Sequence, residues 1–323
     1  MIPPDALIIL LALLLDLMLG DPRWLPHPVI MIGRLITFLD SALRRPWLNL
    51  QLAGIMLLLI VVGSSAGVTW LLLKGMNHLH PLIGLLGAVV IAATCLAARS
   101  LHVESARVAT ALKNGDLPAA RTNLSWIVGR DTDQLNEPEI WRAVVETVAE
   151  NTADGVIAPL FWLTVGGPVA AIAFKAVSTL DSMVGYRNPR YLQLGWASAR
   201  MDDLLNFIPA RLTAVLIIVA AAVSGHSASS ALRIFLRDRH KHPSPNSAHP
   251  EAAAAGALRV QLGGSASYGG VVSCKQQLGD PERALDERSY RGMIQLMYIS
   301  TFLMAAVCIA AVCFLRGFRV PSL

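Results

Sequence analysis

Leu52-Ala-Gly-Ile-Met-Leu-Leu-Leu-Ile-Val-Val-Gly-Ser-Ser-Ala-Gly-Val-Thr-Trp-Leu-Leu-Leu73 carries no charged residue. As a helix rising about 1.5 Å per residue, it is long enough to cross the roughly 30 Å hydrocarbon core of a bilayer. The rest of the chain agrees: 54% of its 323 residues are hydrophobic and only 15% are charged. The mean hydropathy is +0.53, too apolar for an ordinary soluble domain. Working outward, further apolar runs lie at Leu7 to Leu19, Pro81 to Ala98, Val156 to Phe174, Leu204 to Val223 and Tyr298 to Leu315. The first is short, and Pro159, Gly166, Gly167 and Pro168 interrupt the third of these. The expected fold is all-α: one membrane-embedded domain over residues 1–323, with about five to six transmembrane helices and large helical cytoplasmic loops. The expected location is multi-pass in the cell inner (cytoplasmic) membrane.

Polar segments fall at about 21–51, 99–155, 175–203 and 225–297. Six crossings with an outside N-terminus put three of them, and most Lys and Arg residues, on the cytoplasmic side, as the positive-inside rule favours. Segment 175–203 resists that topology, unless the broken run before it is a re-entrant element lining a cavity. The N-terminus lacks a basic n-region and a small-residue cleavage pattern, so it is expected to be kept as a first helix. The net charge of +5 comes without a basic, aromatic-interleaved stripe. The expected macromolecular partner is therefore the lipid bilayer and not nucleic acid; a homo-oligomer is compatible. Cys95, Cys274, Cys308 and Cys313 have no metal-ligand spacing and read as small apolar residues.

Chemistry concentrates at Glu146-Thr-Val-Ala-Glu-Asn-Thr-Ala-Asp-Gly155. Asn136 and Glu139 have capping-box spacing, so a helix starts there, with Ile140, Trp141, Val144, Val145 and Val148 on one face. Glu139, Arg142, Glu146 and Glu150 fall on the opposite face, which for an amphipathic helix is usually just solvated. The alternative is that Glu146, Glu150 and Asp154 share one Mg²⁺ and hold phosphates, with Lys175 as a point charge.

Three other places carry candidates. Asp16, Asp21 and His27 surround a rigid Pro- and Gly-rich helix exit. Ser178 to Arg190, continuing to Arg200, Asp202, Asp203 and Asn206, can bind an anion or lipid headgroups. His242-Pro-Ser-Pro-Asn-Ser-Ala-His-Pro-Glu251 sets Ser247, His249 and Glu251 at a helix N-terminus. Gly263-Gly264 and Tyr268-Gly-Gly270 follow it. There is no internal repeat, no phosphate-binding loop of the G-x-x-x-x-G-K-[ST] kind, no strand-preceded G-x-G-x-x-G, no H-E-x-x-H and no G-x-S-x-G. Asp154-Gly155 lacks the following residues that a membrane CDP-alcohol phosphotransferase would show.

Four blocks together resemble the CobD/CbiB family, adenosylcobinamide-phosphate synthases of cobalamin biosynthesis. They are Leu19-Gly-Asp-Pro-Arg-Trp-Leu-Pro-His-Pro-Val29, Glu146 to Leu160, Lys175 to Tyr186, and Ser244-Pro-Asn-Ser247 with Pro250-Glu251. They occur in family order across nearly the whole chain. The resemblance implies an integral membrane enzyme that uses ATP to join adenosylcobyric acid to (R)-1-amino-2-propanol O-phosphate, or a related amino alcohol, giving adenosylcobinamide phosphate. Forming an amide from an unactivated carboxylate needs a better leaving group, most simply an acyl phosphate. On that reading Glu146, Glu150 and Asp154 hold Mg²⁺, and Asn151, Asp154, Asp21, His27, Ser244 and Asn246 hold ATP. Lys175 stabilises the transferred phosphoryl group, Asp181 or Glu251 takes the amine proton, and Arg187, Arg190 and Arg200 hold the substrate phosphate. All are expected to converge in one hydrophilic chamber open to the cell interior. The competing readings are a transporter or sensor that binds a corrinoid or other anion without chemistry, and a membrane protein whose loops bind partners.

Overall fold

A computed structural model describes residues 3–21, 27–186 and 188–317. The described elements run α1 (Pro4–Leu19), α2 (Pro28–Leu43), α3 (Leu50–Leu79), α4 (Pro81–Ala93), α5 (Ala98–Lys113), α6 (Leu117–Ser125) and α7 (Glu137–Thr152). A π-helical turn (Ala153–Ile157) leads into α8 (Ala158–Val184), followed by α9 (Trp196–Leu205), α10 (Phe207–Val223), α11 (Ala228–Asp238) and α12 (Ala248–Leu258). Strands β1 (Leu262–Tyr268) and β2 (Val271–Leu278) precede α13 (Glu287–Gly317). The chain divides into two compact units.

The first unit comprises residues 1–97, 158–206 and 305–323. Its core is Ile32, Ile36, Leu57, Val61, Leu180 and Leu194. Gly54 is needed where α3 passes the chain before α9, because a Cβ there would collide with the Leu194 carbonyl. The outer side of α3 leaves Leu59, Trp70, Leu71 and Leu72 more than half exposed. A helix that carries no charge over residues 52–73 and exposes large apolar side chains there has lipid as its natural solvent.

Among the described residues, four helical stretches are long and apolar enough to cross a membrane: Leu50–Leu79, Pro81–Lys113, Glu137–Val184 and Glu287–Leu315. The α9–α10 pair, bent by 44°, makes a fifth if it is one span. The Leu7 to Leu19 run does form a helix, but α1 has 16 residues, about 24 Å at 1.5 Å per residue, short of a full crossing. The broken run is broken as expected: Gly166 and Gly167 leave helical geometry inside α8, with Gly167 at φ 66°.

The second unit comprises residues 98–157 and 207–304. At its centre lies α12, every residue of which is buried. The Ala252 to Ala255 run, unremarkable as sequence, is what lets α7, α10 and α11 pack around this helix. Gly256 sits against the Ser230 carbonyl and Ala231, where a Cβ would not fit.

The all-α expectation needs one amendment. Segment 225–297 contains an antiparallel hairpin, with Tyr268 paired to Val271 across Gly269 and Gly270. Those glycines have φ 58° and 80°, the left-handed backbone that a two-residue hairpin turn requires. Val271 and Val272 supply strand propensity, so a local turn signal overrides the helical surroundings.

Candidate active site

The capping box forms at the start of α7: Asn136 Oδ1 accepts from the Glu139 amide at 3.0 Å, and Glu139 Oε2 accepts from the Asn136 amide at 2.8 Å. Fixing the helix start fixes its rotation, so Arg142, Glu146 and Glu150 follow one another on one face. The expectation of a merely solvated face fails here, because Glu146 is 4% exposed. Its Oε2 accepts from Arg130 Nη2 at 2.6 Å and its Oε1 from the Gly263 amide at 2.7 Å. Arg142 Nε stands 4.0 Å away. One turn on, Glu150 Oε1 accepts from the Ser247 hydroxyl at 2.7 Å.

Glu251, in the first turn of α12, is 3% exposed. Burial holds its carboxyl well above the usual range, and the nearby Glu150 and Glu146 push the same way, while Lys275 and Arg130 oppose them. Lys275, on β2, is half-buried. Burial works to lower it, but Glu251, Tyr268, Glu150 and Glu146 leave it above its ordinary value. Burial likewise opposes the charge of Arg130, and Glu146 more than restores it. His242 is held below its ordinary value by burial and then by Lys275, against the pull of Glu150 and Glu146. Three carboxylates and two cations thus share one low-dielectric place, the setting in which proton affinities are displaced and functional groups are found.

The hairpin supplies part of that place and is tied down along its length. Gly263, at φ 82°, is where the β1–β2 register shifts, a bulge that frees its amide from the ladder to bind Glu146. Arg142 Nη2 donates to the Ser265 carbonyl at 3.1 Å. Asp131 accepts from the Ser267 hydroxyl at 2.6 Å and from the Gly269 and Gly270 amides at 2.9 and 2.8 Å. Those hydrogen bonds hold the Asp131 carboxyl below its ordinary range. At the far end, the Gly279 amide donates to buried Asp238, which also pairs with Arg237 and Lys241.

Of the other expected residues in this unit, Asn151 returns its side-chain amide to the Thr147 carbonyl at 3.0 Å, and Asp154 lies in the π-helical turn. Ser244 Oγ accepts from the Asn246 and Ser247 amides, and Asn246 Oδ1 receives Arg211 Nη1 at 3.4 Å, so both shape the approach to α12. In the first unit, Asp21 pairs with His27 at 3.0 Å, and Asp21 and Lys175 both lie within electrostatic reach of Cys95. Asp181 is folded against Gly185, where a Cβ would strike its carboxylate. Arg190 pairs with Asp40 at 3.4 Å beside Arg44. Arg200 lines a cavity of about 250 Å³ with Tyr186, Tyr191, Trp196 and Asp203. Arg187 falls outside the described residues.

Among the described residues, no three His, Cys, Asp or Glu side chains are grouped as a ready metal cage. Glu146 is committed to Arg130, which leaves Glu150 and Glu251 as the acidic oxygens of the cluster with least cationic pairing. A donor set of one or two carboxylates suits Mg²⁺, which usually completes its shell with water and substrate phosphates. Arg130, Lys275, Asp131 and the Gly263 amide were not legible as site groups, whereas helical periodicity had already placed Arg142 on the face of Glu146. The four come from a loop and a hairpin with no periodicity to mark them, and only the paired glycines at 263–264 hinted at unusual backbone.

A model of the CobD/Cbib protein family matches residues 9–297. The chain is 62% identical over 323 residues to a cobalamin biosynthesis protein CobD of Pelobacter propionicus, covering all of both chains. It is 58% identical to a CobD of Geobacter metallireducens, covering 90% of this chain and 92% of the relative. It is 47% identical to a cobalamin biosynthesis protein CbiB of Salmonella typhi, covering 95% and 97%. No solved structure matches.

Proposed function

The chain belongs to the CobD/CbiB family of cobalamin biosynthesis proteins, and on that premise we propose that it is an ATP-dependent acid–amine ligase of the cytoplasmic membrane. The acid is adenosylcobyric acid and the amine is (R)-1-amino-2-propanol O-phosphate or a close relative, giving adenosylcobinamide phosphate. The observation that carries this reading is the buried carboxyl of Glu251, raised by burial and by its acidic neighbours, and faced by Lys275 and Arg130.

An amine attacking an activated carboxyl carbon must lose a proton as the C–N bond forms. A base whose proton affinity is lifted toward neutrality removes that proton most effectively. Glu251 answers that description. Lys275 and Arg130 offer fixed positive charge to oxygens that become more negative during the reaction, and do so where water screens little. Glu150 is the carboxylate that would hold Mg²⁺, whose charge would neutralise phosphate oxygens. Ser247 orients Glu150, and the Gly263 amide with Arg130 orients Glu146. In the first unit, Lys175 and Asp181, with Asp21, His27, Arg190 and Arg200, form a second set of candidate substrate contacts.

The test uses detergent-purified protein supplied with ATP, Mg²⁺ and both substrates. Mass spectrometry should detect the amide, and phosphate or pyrophosphate release should depend on the amine. Wild-type protein that binds the corrinoid but releases nothing would leave a carrier or sensor as the better reading. For Glu251, the expected result is a fall of about 10²- to 10⁴-fold in kcat for folded Glu251→Gln. In the wild type, kcat/KM should rise with pH through an inflection above the ordinary 4.5 of a glutamate. A Glu251→Gln enzyme with full activity would remove this residue from the chemistry.

A further inference from the structure

The residues just before Glu251 gather a second polar group that the amide-forming chemistry leaves unused. His249 is 2% exposed and neither of its ring nitrogens makes a hydrogen bond; the Pro245 carbonyl is near but outside hydrogen-bonding geometry. The His240 ring stands edge-on at 6.1 Å, and Phe235 flanks His249 at 5.7 Å. Arg239 donates from Nε to His240 Nε2 at 3.1 Å, and its guanidinium lies over Phe235. Arg211 reaches in from α10, with Nη1 donating to the Phe207 carbonyl at 2.6 Å and standing 3.4 Å from Asn246 Oδ1.

Among the described residues, neither Arg211 nor Arg239 takes part in an ion pair, and Asp238, adjacent in sequence, is already committed to Arg237, Lys241 and the Gly279 amide. The buried ring of His249, with no hydrogen-bond partner at either nitrogen, therefore shares this place with two guanidinium groups that no ion pair balances, an arrangement that costs free energy until an anion arrives. The same place is the start of α12, where the hydroxyl of the N-cap residue Ser247 is turned to Glu150 and the Asn246, Ser247, His249 and Glu251 amides already donate within the chain, so what the helix end adds is the positive end of its dipole.

We propose that Arg211, Arg239, His240 and His249 form a binding site for the phosphate group of a soluble compound at the start of α12. The site deepens the function proposed above and rests on it for the choice of phosphate over other oxyanions. The sources are the polyphosphate of a nucleotide and the phosphomonoester of the amino alcohol. Two probes separate them: inorganic tripolyphosphate and ethanolamine phosphate.

The experiment is calorimetric titration of the full chain, in detergent without anionic lipid, comparing wild type with Arg239→Gln, Arg239→Lys and Arg211→Gln. Arg239 stacks on the ring of Phe235 outside the helical core, and thermal melts confirm that each variant is folded. Wild type should bind at least one probe, with Kd weakened about tenfold or more in both glutamine variants and less in Arg239→Lys, as loss of charge-assisted hydrogen bonds requires. Preference for tripolyphosphate assigns a nucleotide, and preference for ethanolamine phosphate assigns the amino alcohol. No binding of either probe by wild type, or equal Kd in all four proteins, overturns the proposal.

The two readings fail separately. Amide formation in Arg239→Gln and Arg211→Gln with wild-type KM for both phosphorylated substrates sinks this site and leaves the ligase. Probe binding that the glutamine variants lose, in a protein that never forms the amide, does the reverse.

Discussion

Removing Arg130 should release the hairpin from α7. In the Arg130→Met variant, the Glu146 carboxylate keeps its 2.7 Å bond from the Gly263 amide and the more distant Arg142, but loses the 2.6 Å guanidinium contact that balances it. Removing one partner of a buried ion pair costs roughly 3–5 kcal/mol, mostly because the other charge stays buried and unanswered. The surviving contacts place this case near the lower end, about 3 kcal/mol. That corresponds to roughly two orders of magnitude in an opening equilibrium. The readout should be local, since a chain of two compact units has no single unfolding free energy. Hydrogen exchange in a peptide covering residues 262–268 reports opening at Gly263 directly, and its protection should fall by about a hundredfold. Adding Glu146→Gln to Arg130→Met removes the stranded charge and should restore most of the protection, giving a large coupling in the double-mutant cycle. Protection at Gly263 that changes by less than about threefold in Arg130→Met, or effects of the two substitutions that simply add, would refute the account of how the hairpin is held.

Further outcomes follow from the same contacts. Gly263→Ala should cost roughly 1–2 kcal/mol, since the position has φ 82° and a Cβ would meet the Gln276 carbonyl; exchange in β1 and β2 should speed up while α3 and α8 stay as in wild type. Asp238 is buried, which by itself would raise its carboxyl, but Arg237, Lys241 and the Gly279 amide outweigh this and hold it at about 2, below the ordinary 3.8. That depression contributes about 2 kcal/mol of stability at neutral pH. The contribution is fully present above about pH 3.8 and is lost as pH falls toward 2. Asp238→Asn should lose it at neutral pH and show a flatter acid limb when the α11–β2 region is followed by exchange; an unchanged acid limb would contradict the assignment.

The face of α7 shows where sequence reasoning stops. The capping box and the apolar positions Ile140, Val144 and Val148 were enough to set the helix start and its rotation, because both depend on neighbours within a few residues. Whether Glu146 faces water or protein depends on Arg130, 16 residues earlier, and on Gly263, 117 residues later. Nothing local encodes those partners. The resemblance marked Glu146, Glu150 and Glu251 together; folding brings them together in the second unit, while Lys175, Asp181, Asp21 and His27 belong to the first.

What the sequence determined by itself is the class of the molecule: long uncharged runs must be helical and sheltered from water, since a backbone in lipid has to satisfy its own hydrogen bonds. It also determined the break in α8, because Pro168 has no amide to donate and the two glycines before it freely adopt non-helical backbone. Tertiary structure alone decided which charges answer one another. The Ala-rich α12 became the centre of the second unit only because α7, α10 and α11 close around it. That closure is what buries Glu251 beside Glu150, and burial is a property of distant segments meeting, which no short window of residues contains.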